Sequence, residues 1–349
     1  MKIYSHLFEK IISLENLFSA WDEFRQDKKK KSDILKFEFN LEPNIFQLYR
    51  DLQNHAYKHG PYTSFFITDP KQRHIHKALV RDRVLHHAVF TVLNPIFEPT
   101  FIGHSFSCRI NKGAHKAVNC LTKILRATSA NHTKPCFILK CDISKFFASV
   151  DHDTLLEIVS RKIKDDKAMW LIKEIIESFC SNQSDLFKKR GLPIGNLTSQ
   201  LFANIYLNEF DQFVKHELQI KKYLRYTDDF IVVANDKKYL RKILKAMKKL
   251  LEQKLFLKIH PKKIIIRKFD QGIDFLGHLL LPYYRLIKTK TKQRIMRKLR
   301  GRIKEYKNGI ISEKTLEQSL QSYLGVLSHA NTYKLGQYLK NQFWWWLKD

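Results

Sequence analysis

Acidic residues are scarce in this chain: 34 Asp and Glu face 63 Lys and Arg, a formal net charge of +29 over 349 residues. Such an excess strains a compact fold by self-repulsion unless a polyanion is usually bound. Nucleic acid is therefore the first candidate partner, and an anionic membrane the second. Long apolar runs are missing as well. No stretch approaches a bilayer span, and the N-terminus lacks the apolar segment and small-residue cleavage site of a secretory signal. A cytoplasmic protein with no membrane partner is expected. Cysteine is sparse: Cys108, Cys120, Cys136, Cys141 and Cys180 are odd in number and include no C-x-x-C pair. That excludes a zinc site and a disulfide framework and leaves reduced core thiols. With no internal repeat and no Gly/Ser/Pro-rich linker, any subdomains are expected to be tightly joined.

What is present points to a large folded protein. Hydrophobic residues make up 44%, with 25 Phe and 14 Tyr, and the length suffices for two or three subdomains around a sizeable core. The cations recur along the whole chain instead of forming one tail, which favours an extended nucleic-acid channel.

Residues 1–60 carry Leu7, Ile11, Ile12, Leu14, Leu17 and Phe18 at roughly helical spacing, so helix is predicted there. Residues 62–68 alternate as a strand, turn at Asp69-Pro70 and return through residues 71–75. Lys71 and Arg73 then project from one side of a β-hairpin. Helix is predicted over residues 78–93. The polar loop at residues 101–115 offers Arg109 and Lys112 to a nucleic-acid backbone, or simply joins two helices. A buried strand over residues 136–141 ends at Asp142, at a strand end of the kind where sheets place chemistry; an N-cap is the alternative use of such an Asp. Asp151 reads as a cap.

Gly191-Leu-Pro-Ile194-Gly195-Asn-Leu-Thr-Ser199-Gln200 precedes a strongly apolar helix, with Thr198 and Ser199 as possible caps. Its glycines permit close backbone approach to a planar or phosphate-bearing partner. An amphipathic helix is predicted over residues 237–255, a basic strand with Lys262 and Lys263 over residues 257–267, and a hairpin at Phe275-Leu276-Gly277-His278. From about Lys288 the chain becomes a basic helix, with Lys290, Arg294, Arg297 and Lys304 opposite Ile295, Leu299, Ile303 and Tyr306. The aromatic cluster Phe343-Trp344-Trp345-Trp346 is expected to pack, not to stack on bases.

Tyr226-Thr227-Asp228-Asp229 lies between two short β-branched and aromatic segments and is predicted to be a hairpin tip. Adjacent carboxylates there favour a bound cation or a raised pKa, and hard oxygen donors suit Mg²⁺. Taken with Asp142, the pair could hold two Mg²⁺ ions about 3.5–4 Å apart for phosphoryl transfer.

In order along the chain, Lys71-x-Arg73, Ser105-Phe-Ser-Cys-Arg109, Asp142-x-x-x-x-Phe147, Gly195-x-x-x-Ser199, Tyr226-Thr-Asp-Asp229, Lys263 and Phe275-Leu-Gly-His278 resemble the motif series of a reverse transcriptase. The resemblance implies an α+β right-hand polymerase with an antiparallel palm sheet. Residues 1–60 would form an N-terminal helical extension of the fingers, 61–284 fingers and palm, and 285–349 a helical thumb. It implies Asp142, Ile143 and Asp228 as ligands of two Mg²⁺ ions, with Mn²⁺ a possible substitute and Asp229 at the metals in a supporting role. Lys71, Arg73, Phe147, Ile194, Gly195, Gln200 and Lys263 would surround the incoming dNTP, Phe147 excluding a 2′-OH. Phe275, Leu276, Gly277 and His278 would be the primer grip, and Arg109, Lys112, Lys290, Arg294 and Arg297 would touch nucleic acid.

One departure narrows the group. Ile194-Gly195-x-x-x-Ser199-Gln200 replaces the more common Gln-Gly-x-x-x-Ser-Pro and resembles the enzymes of diversity-generating retroelements, as does the short length without further domains. That implies error-prone copying of a template-repeat RNA into cDNA for mutagenic retrohoming, aided by a small basic accessory protein. The rival readings are a retron, group II intron-like or phage-defence enzyme, and a non-catalytic RNA-binding module on the same fold.

Overall fold

The computed structural model describes residues 2–69, 71–184 and 188–348; Pro70, at the expected Asp69-Pro70 turn, lies outside them. The helical spacing of the first sixty residues becomes four helices, α1 (Phe8–Ile12), α2 (Leu14–Arg25), α3 (Ser32–Phe39) and α4 (Leu41–Gln53). Ser13 begins α2 by accepting the Asn16 N–H at 3.2 Å. The hairpin β1 (Thr63–Ile67) and β2 (Arg73–Lys77) follows, paired from Thr63–Lys77 at its open end to Ile67–Arg73 next to the connection. Its first strand is exposed along its length.

Two helices, α5 (Val80–Phe97) and α6 (Ala114–Thr128), lead to the central strand β3 (Phe137–Asp142). Three more follow: α7 (Phe146–Ser149), α8 (His152–Ser160) and α9 (Asp166–Glu177). Asp151 caps α8, accepting from Thr154 N at 3.0 Å, as expected. Asp165 caps α9 and also accepts the N–H groups of Leu7 and Phe8 at 2.6 and 3.0 Å, which ties α1 to α9. The apolar helix α10 (Leu197–Gln212) is buried on nearly all sides. Asn196, and not Thr198 or Ser199, holds its N-cap position; those two are buried in its first turn.

Then come β4 (Tyr223–Tyr226), β5 (Asp229–Ala234), α11 (Lys237–Lys254) and β6 (Ile265–Lys268). The four strands form one antiparallel sheet in the order β4-β5-β3-β6. The strand expected over residues 257–267 is confined to β6, because Pro261–Lys263 makes a short 3-10 turn and proline has no N–H for a ladder. Side chains alternate between two cores. Leu139, Cys141, Phe230 and Val232 enter the large core shared with α10 and α11. Ile138, Ile231 and Val233 enter a second, with Val118 and Leu121 of α6.

A three-stranded meander, β7 (Ile273–Phe275), β8 (His278–Leu280) and β9 (Arg285–Ile287), leads into three helices with a core of their own. These are α12 (Thr289–Lys307), α13 (Glu313–Ser328) and α14 (Tyr333–Lys348). The C-terminal aromatics divide. Phe343 is buried and Trp346 packs beneath Arg300, whereas Trp344 and Trp345 are 56% and 55% exposed. The expectation of packing holds for the first two only, because successive helical residues cannot share one face.

Candidate active site

A two-residue turn, Thr227-Asp228, joins β4 to β5, with Tyr226 paired to Asp229. Thr227 has φ of 53°, a left-handed conformation that a β-branched residue avoids and that this position of a tight hairpin usually gives to glycine. Two contacts hold it. Its hydroxyl donates to Ser107 Oγ at 2.6 Å, and its carbonyl accepts from Arg225 Nη1 at 3.1 Å. Asp211 grips the Arg225 guanidinium through Nε (2.9 and 3.0 Å) and Nη2 (2.7 Å). The Tyr223 hydroxyl donates to the same carboxylate at 2.6 Å. Arg225 Nη1 also reaches Asn204 Oδ1 at 3.3 Å, and Asn204 donates to the Ser107 carbonyl at 3.0 Å. A buried polar network therefore underlies the turn. Sequence reasoning missed Asp211, Arg225 and Asn204. Their signal was polar residues inside otherwise apolar segments, which are buried only when paired.

Asp142 ends β3 opposite Asp229 in the ladder, and the Ile143 N–H donates to the Asp228 carbonyl at 3.2 Å. The sheet thereby brings Asp142, Asp228 and Asp229 to one edge. Burial pushes Asp228 up to about 6, with the charges of Asp142 and Asp229 adding to it. Burial also raises Asp229, against the opposing pull of Lys140. Lys140 Nζ stands 4.0 Å from Asp229 Oδ1, and Lys263 Nζ 2.6 Å from Asp142 Oδ1. The 3-10 turn at Pro261 thus delivers Lys263, and not Lys262, to the carboxylates.

The β1–β2 hairpin docks beside this edge. The Ile194 carbonyl accepts the His76 N–H at 3.0 Å, and Asn196 Nδ2 donates to the His76 carbonyl at 3.3 Å. Gly195, at φ 120°, is needed here: a Cβ would sit 2.9 Å from Ile75 Cγ2. Lys71 and Arg73 are exposed. Each still acts on the turn, Lys71 lowering Asp229 and Arg73 lowering Tyr226, though burial outweighs both. Phe147 is half-buried against Phe146 (ring centroids 5.3 Å), and its carbonyl accepts from Leu192 N at 2.7 Å. Gln200 is half-buried in the first turn of α10.

Among the described residues, no three His, Cys, Asp or Glu side chains form a ready-made metal cage. Mg²⁺ seldom has one: one or two carboxylates hold it, and water and phosphate oxygens complete its shell. Asp142 and Asp228 fit that demand, as hard donors whose mutual repulsion and burial a cation would relieve. The Ile143 side chain is buried, so only its backbone could contribute.

Carboxylates at the end of one strand and on the adjoining hairpin, flanked by lysines, are the arrangement the motif series led us to expect. The family described as "Reverse transcriptase (RNA-dependent DNA polymerase)" matches residues 67–280. The chain belongs to the reverse transcriptase family. It is 29% identical over 236 residues to protein YkfC of Escherichia coli, covering 58% of this chain and 61% of that one. It is 23% identical over 303 residues to the group II intron-encoded protein LtrA of Lactococcus lactis, covering 68% and 49%. The chain thus spans about half to three-fifths of the length of these relatives. Telomerase from Candida albicans shares the fold at a TM-score of 0.53 and 11% identity, over 88% of this chain and 58% of that one.

Some of the expected contacts fall elsewhere. Arg109 is not available to nucleic acid. Its side chain is 6% exposed and is spent on Glu98 (2.7 Å from Nη2) and on the carbonyls of Ile102 and Ser105 (2.7 and 2.9 Å). The 3-10 turn at Glu98–Thr100 supplies that carboxylate, so the arginine folds the loop on itself. Lys112 braces the same loop through the Gly103 carbonyl at 2.7 Å, yet stays partly exposed. In the β7–β8 hairpin, Phe275 and His278 point into the protein, with His278 Nδ1 donating to the Leu276 carbonyl at 3.2 Å. Only Leu276-Gly277, at φ 45° and 86°, forms the tip. On α12, Lys290 and Arg297 are exposed and Arg294 is half-buried, while Ile295, Leu299 and Ile303 are buried, as the periodicity predicts.

Proposed function

We propose that this chain is an RNA-directed DNA polymerase in which the central sheet is the palm, the β1–β2 hairpin belongs to the fingers and α12–α14 are the thumb. The observation that carries the reading is the register of Asp142 against Asp229 beside the Thr227-Asp228 turn, inside the matched family region. Asp142 and Asp228 hold the metal site, and bound Mg²⁺ or Mn²⁺ would lower the pKa of a primer 3′-OH and neutralise triphosphate charge. Lys263, Lys71 and Arg73 supply fixed positive charge to the triphosphate and the leaving pyrophosphate. Phe147 supports the sugar and excludes a 2′-OH. Leu276-Gly277 offers backbone to the primer, while Lys112, Lys290, Arg294 and Arg297 meet the sugar-phosphate backbone of the template–primer duplex.

The finer reading is the enzyme of a diversity-generating retroelement, copying template-repeat RNA into error-prone cDNA with a small basic accessory protein. It is supported by Ile194-Gly195-x-x-x-Ser199-Gln200. An apolar side chain in place of an amide at residue 194 removes a hydrogen-bonding group beside the nascent pair, and fidelity that rests on such a group is lost with it. The similarity to LtrA favours a second reading, a group II intron-like enzyme. Primer extension on an adenine-containing RNA template, with dNTPs and Mg²⁺ and with product sequencing, tests all three levels. Asp228-dependent cDNA with errors concentrated at template adenines supports the retroelement enzyme. Faithful cDNA selects the group II intron-like reading. If RNA binds equally well without Mg²⁺ and no cDNA forms with cognate RNA and accessory protein present, the polymerase reading fails.

A further inference from the structure

The cations of α11 have no part in the site described above. Its 18 residues include eight Lys or Arg and one acid, Glu252, and all eight cations are exposed. Leu240, Ile243, Met247, Leu250 and Leu251 are buried in the large core, so the basic face is anchored on that core. That core lies against one side of the central sheet. Asp142 and Asp229 share the alternation of Ile138 and Ile231, which face the other side. The basic face of α11 is therefore turned away from the catalytic edge.

Local energetics disfavour this composition. Lys238–Lys242, Arg241–Lys245 and Lys245–Lys249 are like-charged i,i+4 pairs, each of which destabilises a helix. Lys237 and Lys238 stand in the first turn, where the helix dipole disfavours cations. Within the helix, Glu252 meets one of the eight, Lys248, at 3.8 Å. By contrast α9 intersperses Lys167 and Lys173 with Asp166, Glu174 and Glu177. Lys238, Arg241, Lys242, Lys245, Lys248 and Lys249 instead make a stripe about 16 Å long at 1.5 Å rise per residue.

We propose that the outer face of α11 is a second RNA-binding track, which holds the sugar-phosphate backbone of template RNA lying outside the catalytic cleft. This rests on the RNA-templated polymerase reading. An RNA template longer than the cleft must run over the outer surface, and a rigid cationic stripe complements it without reading sequence. A membrane is the poorer fit, because a membrane-seeking helix turns its apolar face outward and that of α11 is buried.

The test uses the full chain with Lys238, Arg241, Lys242, Lys245 and Lys249 all changed to Gln. Binding is measured for a short RNA–DNA duplex that only fills the cleft, and for the same duplex with a long single-stranded RNA extension. The variant should melt no lower than the parent, because like-charge repulsion is relieved. Its affinity for the extended RNA should fall about tenfold or more at physiological salt, with the log–log salt slope shallower by about 3, at roughly 0.7 per single-strand phosphate contact. Affinity for the short duplex, and its rate of extension, should stay within about twofold. An equal loss on both RNAs, or no loss on either, overturns the proposal. So does lost binding to vesicles of anionic phospholipid with RNA binding intact. If the parent extends no duplex at all, the polymerase reading fails by itself, and the binding comparison still judges the track.

Discussion

Arg225 and Asp211 form an ion pair with no exposure on either side, Nη2 to Oδ2 at 2.7 Å. A buried pair of this kind contributes little net stability, whereas removing one partner leaves an uncompensated charge at a cost of about 3–5 kcal/mol. Here the pair also has a positioning task, since the same guanidinium holds the Thr227 carbonyl next to Asp228. Asp211→Asn should lower unfolding stability by about that amount in a denaturant titration. The pair Asp211→Leu with Arg225→Met should recover part of the stability but not primer extension, because Thr227 loses its donor. Recovery of both would reduce the pair to packing.

Asp228 should behave in the opposite way. Its folded pKa of about 6 lies above the ordinary 3.8, so its ionised form is disfavoured in the fold. That penalty is fully present above about pH 6 and vanishes below the unfolded value. Asp228→Asn removes it. We expect primer extension to drop at least roughly 10³-fold, as for loss of an essential electrostatic group, while the melting temperature at pH 7.5 stays equal or rises. A lower melting temperature would make the carboxylate a structural partner.

The contrast between these two aspartates shows what a sequence discloses. Asp228 and Asp229 sit on a hairpin tip between β-branched strands, and Asp142 ends an apolar strand; local pattern sufficed for both. The α12 stripe and the α11 face were equally readable, because helical periodicity separates their apolar and cationic sides. Asp211 and Arg225 lie in separate elements and acquire meaning only when α10 is laid against β4. Arg109 misled for the same reason. Its sequence neighbours are those of an exposed polar loop, and the carboxylate that draws it inward, Glu98, lies eleven positions upstream. Non-local pairing turned a surface-type residue into a fold-holding one.

Gly195 gives a prediction about the β1–β2 hairpin. At φ 120°, with Ile75 Cγ2 2.9 Å from where a Cβ would be, alanine is both strained and crowded. Gly195→Ala should cost about 1 kcal/mol or more of stability and push β2 off the residue 194–196 loop. In steady-state extension the KM for dNTP should then rise more than kcat falls, because Lys71 and Arg73 ride on that hairpin. An unchanged KM would separate the hairpin from nucleotide binding.

Acid should destabilise the protein through its buried histidines, at a pH where ordinary carboxylates are still ionised. His86 is wholly buried, and burial drives its pKa well below the ordinary value; burial pushes its neighbour His87 down to about 4. An unfolded histidine protonates near 6.5, so below that pH the unfolded state binds more protons and stability falls. The loss should begin near pH 6.5 and, for His87, level off below about pH 4. His86→Phe keeps a ring against His59, now 5.3 Å away between centroids, without a titrating group. Its melting temperature should exceed that of the parent by more at pH 5 than at pH 8. An equal difference at both would remove His86 from the acid response.

The last prediction concerns access to the cleft. Asp69, at the end of the β1–β2 hairpin, pairs with Lys298 on α12 at 2.5 Å, with Arg297 at 4.0 Å. The contact spans from the proposed fingers to the proposed thumb, so a duplex entering between them must break it. Lys298, by hydrogen bond and charge, holds the Asp69 carboxyl below the usual range, which keeps the clasp closed through mildly acidic pH. Lys298 is exposed, however, and Asp69 only partly buried, so salt screens the pair. Asp69→Asn should therefore raise the association rate of an RNA–DNA duplex at low salt, in stopped-flow fluorescence, with little change in the extension rate of bound duplex. The advantage of the variant should shrink as salt rises, because screening weakens the clasp in the parent alone. A parent and variant that associate equally fast at low salt would mean that the duplex enters without parting hairpin and helix.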